Sequence, residues 1–501
     1  MASSRRDFLI QSAISTSLIT LSGACSRDTA PQIKAPISID QMDGVATATA
    51  IRNRDITALE AIDAAITRTQ KVNPKINAIV TETFEAAREQ ANNLSTDEGA
   101  LAGVPTFIKD LFDVTGLPTR HGSRSTQGHI AKSQFPFIDD FQAAGLISLG
   151  KTTTPEYGLT ATTEPVSSGI TRNPWSLNHS SGGSSGGAAA LVAAGATPFA
   201  HATDGGGSIR IPAACCGLVG LKPSRGRFRP ARDESKTPIR ISAHGVVSRT
   251  MRDTAAFMAA MEAPEDESGL APTRLVSEAS GRRLKIGIIA KSPLGSELHE
   301  DVTAAISNTS RLCDELGHET REIDPNFDAA FGDDFLLYWA AAANSYVARW
   351  EAVNRRRADD SVFEPFTLGL QQHFLANQEK LRTAILSLLR FSGTWSEMFN
   401  GLDLVLSPVL TRPPVEIGYL GSTIPYDEAM ERLKNYAQFT APANVAGTPS
   451  MSLPMAMSKE GLPVGVMFNA RAGNEKTLLE LGYELEAAQP WTSRKPAVFS
   501  G

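Results

Sequence analysis

Apolar residues recur in the first hundred positions at intervals of three and four, the spacing of one helix face. This spacing predicts helices over residues 57–72 and 81–94, with a packing role. From residue 101 the pattern changes to short apolar runs, which alternate with helical stretches such as residues 188–195. Short apolar runs are typical of buried strands. Four more of them occur late in the chain, at 283–289, 403–410, 450–457 and 463–470.

Because strand-like and helical stretches alternate in both halves of the chain, we predict a single large α/β domain rather than independent domains. A mixed, mostly parallel β-sheet is expected between layers of helices. Residues 37–100 would form N-terminal helices that pack on the core, residues 101–270 the core that carries the chemistry, and residues 271–501 the C-terminal half of the same domain.

A helical insertion is predicted at about residues 327–400, where the sequence is rich in aromatic residues such as Trp339, Tyr346, Trp350 and Trp395. Two interpretations are open. Aromatic residues on helices are more often core than ligand contacts, which favours a helical layer packed on the core. In the other interpretation the insertion covers the active site.

The first 25 residues have the order of a secretory signal. Arg5 and Arg6 precede an apolar stretch over residues 8–21, and small residues follow it. The stretch is too short and too polar to span a bilayer stably, and "SRRDFL" resembles the twin-arginine export motif. We predict a twin-arginine signal peptide over residues 1–24, the twin-arginine translocon as partner during export, and a mature protein in the periplasm or at the cell surface. The alternative is a chance arginine pair on an amphipathic helix.

Residues 25–36 are polar and contain proline, as expected of a linker. Cleavage after Ala24 suits an ordinary signal peptidase, because Ser22 and Ala24 are small. Leu21 lies one position too far from Cys25 for a lipoprotein signal. A lipid anchor on Cys25 is therefore the lesser alternative.

The composition argues against several classes of protein. The chain has 501 residues, of which 42% are hydrophobic and 20% charged, so it can bury a large core. Its net charge of -6 lacks the basic footprint of a nucleic-acid binder. Cys215, Cys216 and Cys313 indicate no disulfide framework, and the eight histidines show no zinc-binding spacing. We predict no metal, no cofactor and no nucleic-acid partner, and nothing in the sequence indicates an oligomeric state.

Two glycine-rich stretches contain candidate serines. In "HSSGGSSGGAAA", Ser184 fits G-x-S-x-G, but an α/β-hydrolase nucleophile follows a strand, and polar, turn-forming residues precede this one. A phosphate loop would need G-K-[ST], which is missing. "ATPFAHATDGGGSIRIPAA" instead offers an apolar strand, three glycines and then Ser208. Because successive glycine amides can surround a negative charge, this pattern favours Ser208 as the reacting serine.

A reacting serine needs a base. Three histidines are candidates by proximity in the sequence: His179, His201 and His244. Lysine is the other candidate type: Ser148 and Lys151 fit S-x-x-K, but the companion motifs S-D-N and K-T-G are missing. Lys109 ends an apolar run in "GVPTFIKDLFDVTG", and on its own it is most simply a solvated lysine at a strand end.

Three segments together resemble the amidase signature family: Lys109 in "GVPTFIKDLFDVTG", Ser184 in "GGSSGG" and Ser208 in "TDGGGSIRIPA". Their spacings of 75 and 24 residues agree with the family pattern, and the resemblance runs from about residue 40 to 490. "TDGGGSIR" with "CCGLVGLKPSRGR" is most similar to the bacterial branch of the 6-aminohexanoate-cyclic-dimer hydrolases. Many family members have a bulky aliphatic residue where Gly205 stands, which implies a looser loop here.

The resemblance implies the amidase signature fold and an amidase that cleaves linear or cyclic amides through an acyl-enzyme, without a cofactor. Its partner would be a small-molecule amide. Ser208 would be the nucleophile, Ser184 a proton relay with a cis peptide bond, and Lys109 the base behind it. Asp204 and Arg210 flank the loop and would fix its shape.

The remaining site residues follow from the same resemblance. The amides of Gly205, Gly206, Gly207 and Ser208 would bind the oxyanion. Ser185 would be an accessory hydrogen-bonding residue, or would only satisfy backbone groups. Tyr157 would line the substrate pocket.

Two alternatives to an exported amidase are considered. The fold also serves as the ammonia-releasing subunit of glutamine-dependent amidotransferases, whose charged-tRNA chemistry is cytoplasmic, whereas the N-terminal signal indicates export. The other alternative is a catalytically inactive binding protein at the cell surface. The complete set of Lys109, Ser184 and Ser208 disfavours it.

Overall fold

The computed structural model describes residues 38–95, 99–230, 237–325, 327 and 329–500. The predictions of a signal peptide, of its translocon and of a lipid on Cys25 concern residues 1–37, which lie outside this range. Residues 39 onward form one compact unit.

The described residues form thirteen strands and fifteen α-helices that alternate along the chain. The strands are β1 (Ile79–Glu82), β2 (Pro105–Lys109), β3 (Ile147–Thr152), β4 (Arg172–Asn173), β5 (Ser176–Ser180), β6 (Phe199–Asp204), β7 (Val219–Lys222), β8 (Ala243–Ser248), β9 (Lys285–Ile288), β10 (Glu319–Glu322), β11 (Leu404–Pro408), β12 (Ser450–Met457) and β13 (Pro463–Ala470). The helices are α1 (Gly44–Arg52), α2 (Ala58–Ile76), α3 (Phe84–Asn93), α4 (Pro136–Ala143), α5 (Gly186–Ala193), α6 (Arg210–Cys216), α7 (Met251–Met261), α8 (Glu265–Ser268), α9 (Glu300–Glu315), α10 (Ala329–Asn354), α11 (Pro365–Asn377), α12 (Leu381–Glu397), α13 (Tyr426–Tyr436), α14 (Ala441–Ala446) and α15 (Glu475–Ala488).

The strands are arranged in one large sheet and two small ones. The main sheet has eight strands in the order β10-β9-β11-β13-β12-β7-β8-β6, the second has the order β1-β3-β2, and β4 pairs with β5. Side chains of β2 reach β6, the edge strand of the main sheet: Thr106 Oγ1 donates to the Phe199 carbonyl at 3.1 Å. The Lys109 amide donates to His201 Nδ1 at 3.3 Å. The two sheets therefore meet along a β2–β6 seam.

The predicted single α/β domain with a mixed sheet between helices is confirmed. The expectation that the sheet is mostly parallel is wrong. In the main sheet, as described, β9 pairs in parallel with β10 and with β11, and the other five pairings are antiparallel. One reason is connection length: β12 and β13 are joined by residues 458–462 alone, too few for the crossover that parallel neighbours need.

Both faces of the main sheet are covered by helices. Successive residues of a strand point to opposite faces, so each strand packs on helices on both sides. In β6, Phe199 packs on Phe257 of α7, with ring centroids 6.0 Å apart. The next residue, Ala200, belongs to the apolar cluster on the other face, with Leu191 of α5. This double burial explains why the strands read as continuous apolar runs.

The N-terminal helix α2 packs on the core. It begins with a capping box, in which the Glu60 amide donates to Thr57 Oγ1 at 3.1 Å and the Glu60 carboxylate accepts from the Thr57 amide at 2.7 Å. The apolar face predicted by the spacing of its residues includes Ile62 and Ile66, which are buried in the same cluster as α5.

The segment predicted as a helical insertion consists of α10, α11 and α12. Trp395 of α12 is 1% exposed and packs between Phe391 and Phe399, so this aromatic residue is core. In the described part of the chain, no helix combines the length and the apolar character that crossing a bilayer requires.

Candidate active site

Lys109 is the last residue of β2, and its side chain is 0% exposed. Its Nζ lies within hydrogen-bond distance of three hydroxyl oxygens, at 2.7 Å from Ser184, 2.9 Å from Ser185 and 3.0 Å from Thr203. Lys109 is therefore not the solvated lysine that its position in the sequence, taken alone, would suggest.

The amine of Lys109 is in an environment that favours its neutral form. Burial lowers the pKa of Lys109 well below its ordinary value, because a charged amine loses its hydration in the interior. The negative charge of Asp204 opposes this shift only in part. Since a neutral amine accepts a proton and an ammonium does not, Lys109 can act as a base.

Ser184 and Ser185 are buried in the loop between β5 and α5. The peptide bond between Gly183 and Ser184 is cis, as the resemblance implies. A Cβ at position 183 would lie 2.6 Å from the backbone oxygen of Thr162, so this position requires glycine. The glycines of "GGSSGG" thus allow the loop to pack closely against neighbouring backbone.

Ser208 lies four residues after the end of β6, where the chain turns into α6. It is 8% exposed and lines a cavity together with Gly183 and Gly206. Gly207 has φ +134°, and a Cβ there would lie 2.4 Å from Thr440 Oγ1, so a side chain is excluded on both counts. The order of strand, glycine turn and serine that the sequence indicates is present.

The structure brings Lys109 and Ser184 into direct contact and Ser208 into the adjoining cavity. Among the described residues no hydrogen bond joins Ser184 Oγ to Ser208 Oγ. Catalytic hydrogen bonds are often long without substrate. The inner step of the predicted relay, between Ser184 and Lys109, therefore has its contact in place.

Three buried polar side chains fix the loop from behind. Asp204 accepts hydrogen bonds from the amides of Gly207 at 2.7 Å and Ile209 at 3.1 Å, and pairs with Arg210 at 2.9 Å. Asn444 Nδ2 donates to Asp204 at 2.9 Å, and Asn444 Oδ1 accepts from Arg210 at 2.7 Å. Although burial disfavours a charged carboxyl, Arg210 lowers the pKa of Asp204, which keeps it charged. Asp204 and Arg210 thus have the structural contacts expected of them.

This network changes the predicted oxyanion site. The amide of Gly207 is occupied, because it donates to the Asp204 carboxylate. The amides of Gly205, Gly206 and Ser208 have no hydrogen-bond partner within the described residues. These three, and not Gly207, are available to a developing negative charge.

A cavity of about 520 Å³ opens over Ser208, a volume typical of small-molecule sites. Its walls come from residues 158–161, from α10 and from residues 435–441. Most of the lining is apolar, including Phe331, Phe335, Leu336, Trp339, Met430 and Leu433. Such a cavity fits an uncharged organic group.

The charged residues of the described lining, Asp333, Glu431 and Lys434, are all solvent-exposed. Lys434 Nζ lies 3.2 Å from an Asp333 carboxylate oxygen, and both side chains are solvent-exposed. Gln438 Nε2 donates to Ser296 Oγ at 2.8 Å. No charged side chain of the described lining therefore points to a charged substrate.

The placement of Tyr157 differs from its predicted role. Its ring stacks on Tyr346 at a centroid distance of 4.2 Å, and its hydroxyl lies 2.6 Å from Ser125 Oγ. Residues 158–161 line the cavity, whereas Tyr157 is not among the described lining residues. Its side chain contacts Tyr346 and Ser125, which are outside the described cavity lining.

The aromatic residues of the insertion divide between the two interpretations. Trp339 lines the cavity, whereas Tyr346 and Trp350 pack on residues outside its lining. The aromatic stripe itself was missed at the sequence level, although its spacing of four residues is visible there: Phe327, Phe331, Phe335 and Trp339.

The other bases considered from the sequence do not contact Ser208 in the described structure. His201 on β6 and His244 on β8 are buried, and their rings stack on each other at a centroid distance of 5.8 Å. His179 lies 2.8 Å from a serine hydroxyl of its own strand. Lys151 forms a buried ion pair, so its S-x-x-K match is accidental.

The described residues contain no group of three or more His, Cys, Asp or Glu placed to bind a metal ion. Cys215, Cys216 and Cys313 are buried free thiols. Burial raises the pKa of the Cys215 and Cys313 thiols to about 12. These cysteines are therefore unreactive packing residues.

Known proteins resemble this chain over most of its length. The amidase family model matches residues 60–479. The AmiC protein of Mycobacterium tuberculosis is 40% identical over 455 residues, covering 91% of this chain and 96% of the relative. The 6-aminohexanoate-cyclic-dimer hydrolase of Paenarthrobacter ureafaciens is 34% identical over 484 residues, covering 91% and 97%.

Solved structures show the same fold. A 6-aminohexanoate cyclic dimer hydrolase complexed with substrate superposes with a TM-score of 0.84 at 31% identity, covering 93% of this chain and all of the other. A bacterial aryl acylamidase of the amidase signature family superposes with a TM-score of 0.79 at 26% identity, covering 90% and 97%. The fold and the site define an enzyme that hydrolyses amide bonds. The chain belongs to the amidase family, and its resemblance to the cyclic-dimer hydrolase branch is confirmed.

Proposed function

We propose that this chain is an exported serine amidohydrolase that forms an acyl-enzyme on Ser208 and uses Ser184 and Lys109 as a proton relay. The observation that carries the proposal is the contact of 2.7 Å between Ser184 and the buried amine of Lys109, beside the cavity that Ser208 lines. Burial lowers the pKa of the Lys109 amine and so favours its neutral form, which can accept a proton from Ser184.

In the proposed reaction, Ser208 Oγ attacks the substrate carbonyl carbon. The Ser208 proton passes to Ser184 Oγ while the Ser184 proton passes to Lys109 Nζ. Amides of the loop, those of Gly205, Gly206 and Ser208, stabilise the negative charge on the carbonyl oxygen. The C–N bond then breaks, and the amine leaves with the proton returned through Ser184.

Deacylation uses the same groups. A water molecule loses a proton to Ser184 and attacks the Ser208 ester, and the acid leaves as Ser208 regains its proton. Each removed oxyanion donor costs about 10²–10³ in rate in comparable sites. The rigid support of the loop by Asp204 and Arg210 is consistent with such preorganisation.

The substrate is proposed to be a small, uncharged amide, linear or cyclic. The apolar cavity of about 520 Å³ supports this class. So do the relatives whose names state cyclic-dimer hydrolase and aryl acylamidase activities.

The nucleophile is tested with a fluorophosphonate probe and peptide mass mapping. Wild type should carry one label on Ser208, and Ser208→Ala should lose both the label and amide hydrolysis, by about 10⁴-fold or more. Ser181→Ala, a matched buried serine in the same loop, should keep both. A label on Ser184 would overturn the assignment. No label and no hydrolysis in the folded wild type would favour an inactive binding protein.

Export to the periplasm or the cell surface is proposed from "SRRDFL" at the N-terminus. Replacement of Arg5 and Arg6 by lysine should leave the enzyme in the cytoplasm, as measured by activity in cell fractions. Mass spectrometry of the mature protein should find cleavage after Ala24. A diacylglyceryl mass on Cys25 would identify the lipid-anchored alternative instead.

A further inference from the structure

Two aromatic rings of α10 cover the glycine loop next to Ser208. A Cβ at Gly205 would lie 3.2 Å from Trp339 Cζ3 and 3.3 Å from Cη2. A Cβ at Gly206 would lie 3.3 Å from Phe335 Cζ. The outer edges of both rings therefore approach the loop where these glycines have no side chains.

Trp339 is fixed in this place from two sides. Its Nε1 donates to the Leu159 carbonyl at 3.3 Å, which ties α10 to the opposite wall of the cavity. Its ring also packs on Phe335 at a centroid distance of 5.8 Å and an angle of 26°. Trp339 is thus a rigid wall beside the loop.

The absence of a side chain at position 205 and the presence of Trp339 are complementary. The indole occupies the space into which a side chain at 205 would project. Interiors are close-packed, so an added group at one of these positions requires space from the other. The sequence predicts a looser loop at Gly205, but in the structure the ring of Trp339 lies directly against this loop.

We propose that Trp339 determines acyl-group specificity by closing the cavity at Gly205, so that amides of uncharged acyl groups unbranched at the carbon next to the carbonyl are preferred. This inference rests on the proposed acylation of Ser208. The carbon next to the carbonyl must lie beside the loop when the acyl group is on Ser208. A branch there meets Trp339, whereas an unbranched chain continues along the apolar lining towards Phe331 and Leu433.

The test compares hydrolysis of the 4-nitroanilides of butyric and isobutyric acid, which have the same atoms and charge and differ only in the branch. Wild type should prefer the butyryl substrate in kcat/KM by about 10-fold or more, the effect of one methyl group in a packed pocket. Trp339→Ala should reduce this preference about 10-fold. Trp339→Phe should reduce it less, and it decides the question if Trp339→Ala is unstable.

A second variant changes the loop side of the contact between Gly205 and Trp339. Gly205→Val should lower kcat/KM for both substrates, because the added methyl groups meet the indole. The double variant Gly205→Val with Trp339→Ala should recover hydrolysis and prefer the butyryl substrate again. Trp350→Ala is the matched control: this tryptophan is on the same helix but packs on Phe363, and the preference should stay at the wild-type value.

The inference would be overturned if wild type, Trp339→Ala and Trp339→Phe hydrolysed both substrates with the same butyryl-to-isobutyryl ratio of kcat/KM. The proposed function would remain intact in that case. Loss of the preference in Trp350→Ala would also overturn the inference, since the effect would then not belong to Trp339. If the proposed function itself were wrong, wild type would hydrolyse neither substrate and would carry no fluorophosphonate label on Ser208.

Discussion

Two lysines of the three-stranded sheet are equally buried and have different partners. Lys151, on β3, lies 2.7 Å from a carboxylate oxygen of Asp110. Lys109, on β2, contacts only hydroxyl oxygens. Asp110 directly follows Lys109 in the chain, yet its carboxylate is directed to the other lysine.

The difference shows that burial alone does not make a lysine a base. Burial lowers the pKa of both amines, but at Lys151 the adjacent Asp110 carboxylate opposes the shift at ion-pair distance. At Lys109 the neighbouring hydroxyls contribute no charge, and no carboxylate is among the hydrogen-bond partners of the amine in the described structure. Lys151 has the contacts of a structural cation, and Lys109 is the proposed proton acceptor, although the two lysines lie on directly paired strands.

The largest expected effect follows from removing the Lys109 amine. Lys109→Met should lower kcat/KM by about 10³–10⁴-fold, because the relay loses its base. The fold should persist, and stability should lose a pH dependence. Between the lowered pKa of Lys109 and about 10.4 the unfolded chain binds a proton that the folded protein does not, so wild-type stability rises with pH in this window. Urea unfolding across pH measures this slope, which Lys109→Met should lack.

Lys151→Met should show the opposite pattern. Removing one partner of a buried ion pair leaves an uncompensated charge on Asp110, at a cost of about 3–5 kcal/mol in the free energy of unfolding. Adding Asp110→Asn should recover most of that loss, and the folded variants should retain hydrolysis. If Lys151→Met were stable and inactive, the distinction between the two lysines would be wrong.

Thr203→Asp would give Lys109 the kind of partner that Lys151 has. Since a carboxylate within about 4 Å favours the charged amine, the pKa of Lys109 should rise by about 1–3 units. Activity needs the neutral amine, so the acidic limb of the pH–rate profile should move to higher pH and activity at pH 7 should fall about 10-fold or more. Thr203→Asn, of similar size and without charge, is the control, and an unmoved limb in Thr203→Asp would contradict the role of Lys109.

Ser185→Ala should have the smallest effect. Its hydroxyl lies 2.9 Å from the Lys109 amine and also accepts from the Thr203 amide at 3.2 Å. Loss of one such hydrogen bond is worth about 1 kcal/mol, or about 5–10-fold in kcat/KM. The expected result is a lower rate with an unshifted pH profile. A loss as large as that of Lys109→Met would mean that Ser185, rather than Ser184, carries the relay.

The fold could be predicted from the sequence where local patterns decide it. The apolar runs mark the buried strands, and the capping residues Thr57 and Glu60 mark the start of α2. Strand direction could not be read in the same way, because apolar runs look alike in parallel and antiparallel strands buried on both faces. In the main sheet, the connection at residues 458–462 carries that information, because it is too short for the crossover between parallel strands.

The sequence predicts those residues of the candidate site that belong to recognisable motifs. Lys109, Ser184 and Ser208 are predicted from a family pattern, and Asp204 and Arg210 from their positions beside it. Thr203 and Asn444 were missed, since their contacts depend on long-range packing that no local pattern records. Gly207 was assigned to the oxyanion because glycine amides are free to turn, but the sequence does not state which way each amide turns.

We expect the contacts of Asn444 to determine when, during synthesis, the loop of Ser208 can form. Asn444 lies 240 residues after Asp204, and it joins that residue to the Ile241 carbonyl through hydrogen bonds of 2.9 and 3.0 Å. At synthesis rates of roughly 5–20 residues per second, the serines emerge from the ribosome on the order of tens of seconds before Asn444. We therefore expect the growing chain to carry its nucleophile in an unformed loop, and hydrolysis to begin only after nearly the whole chain has been made.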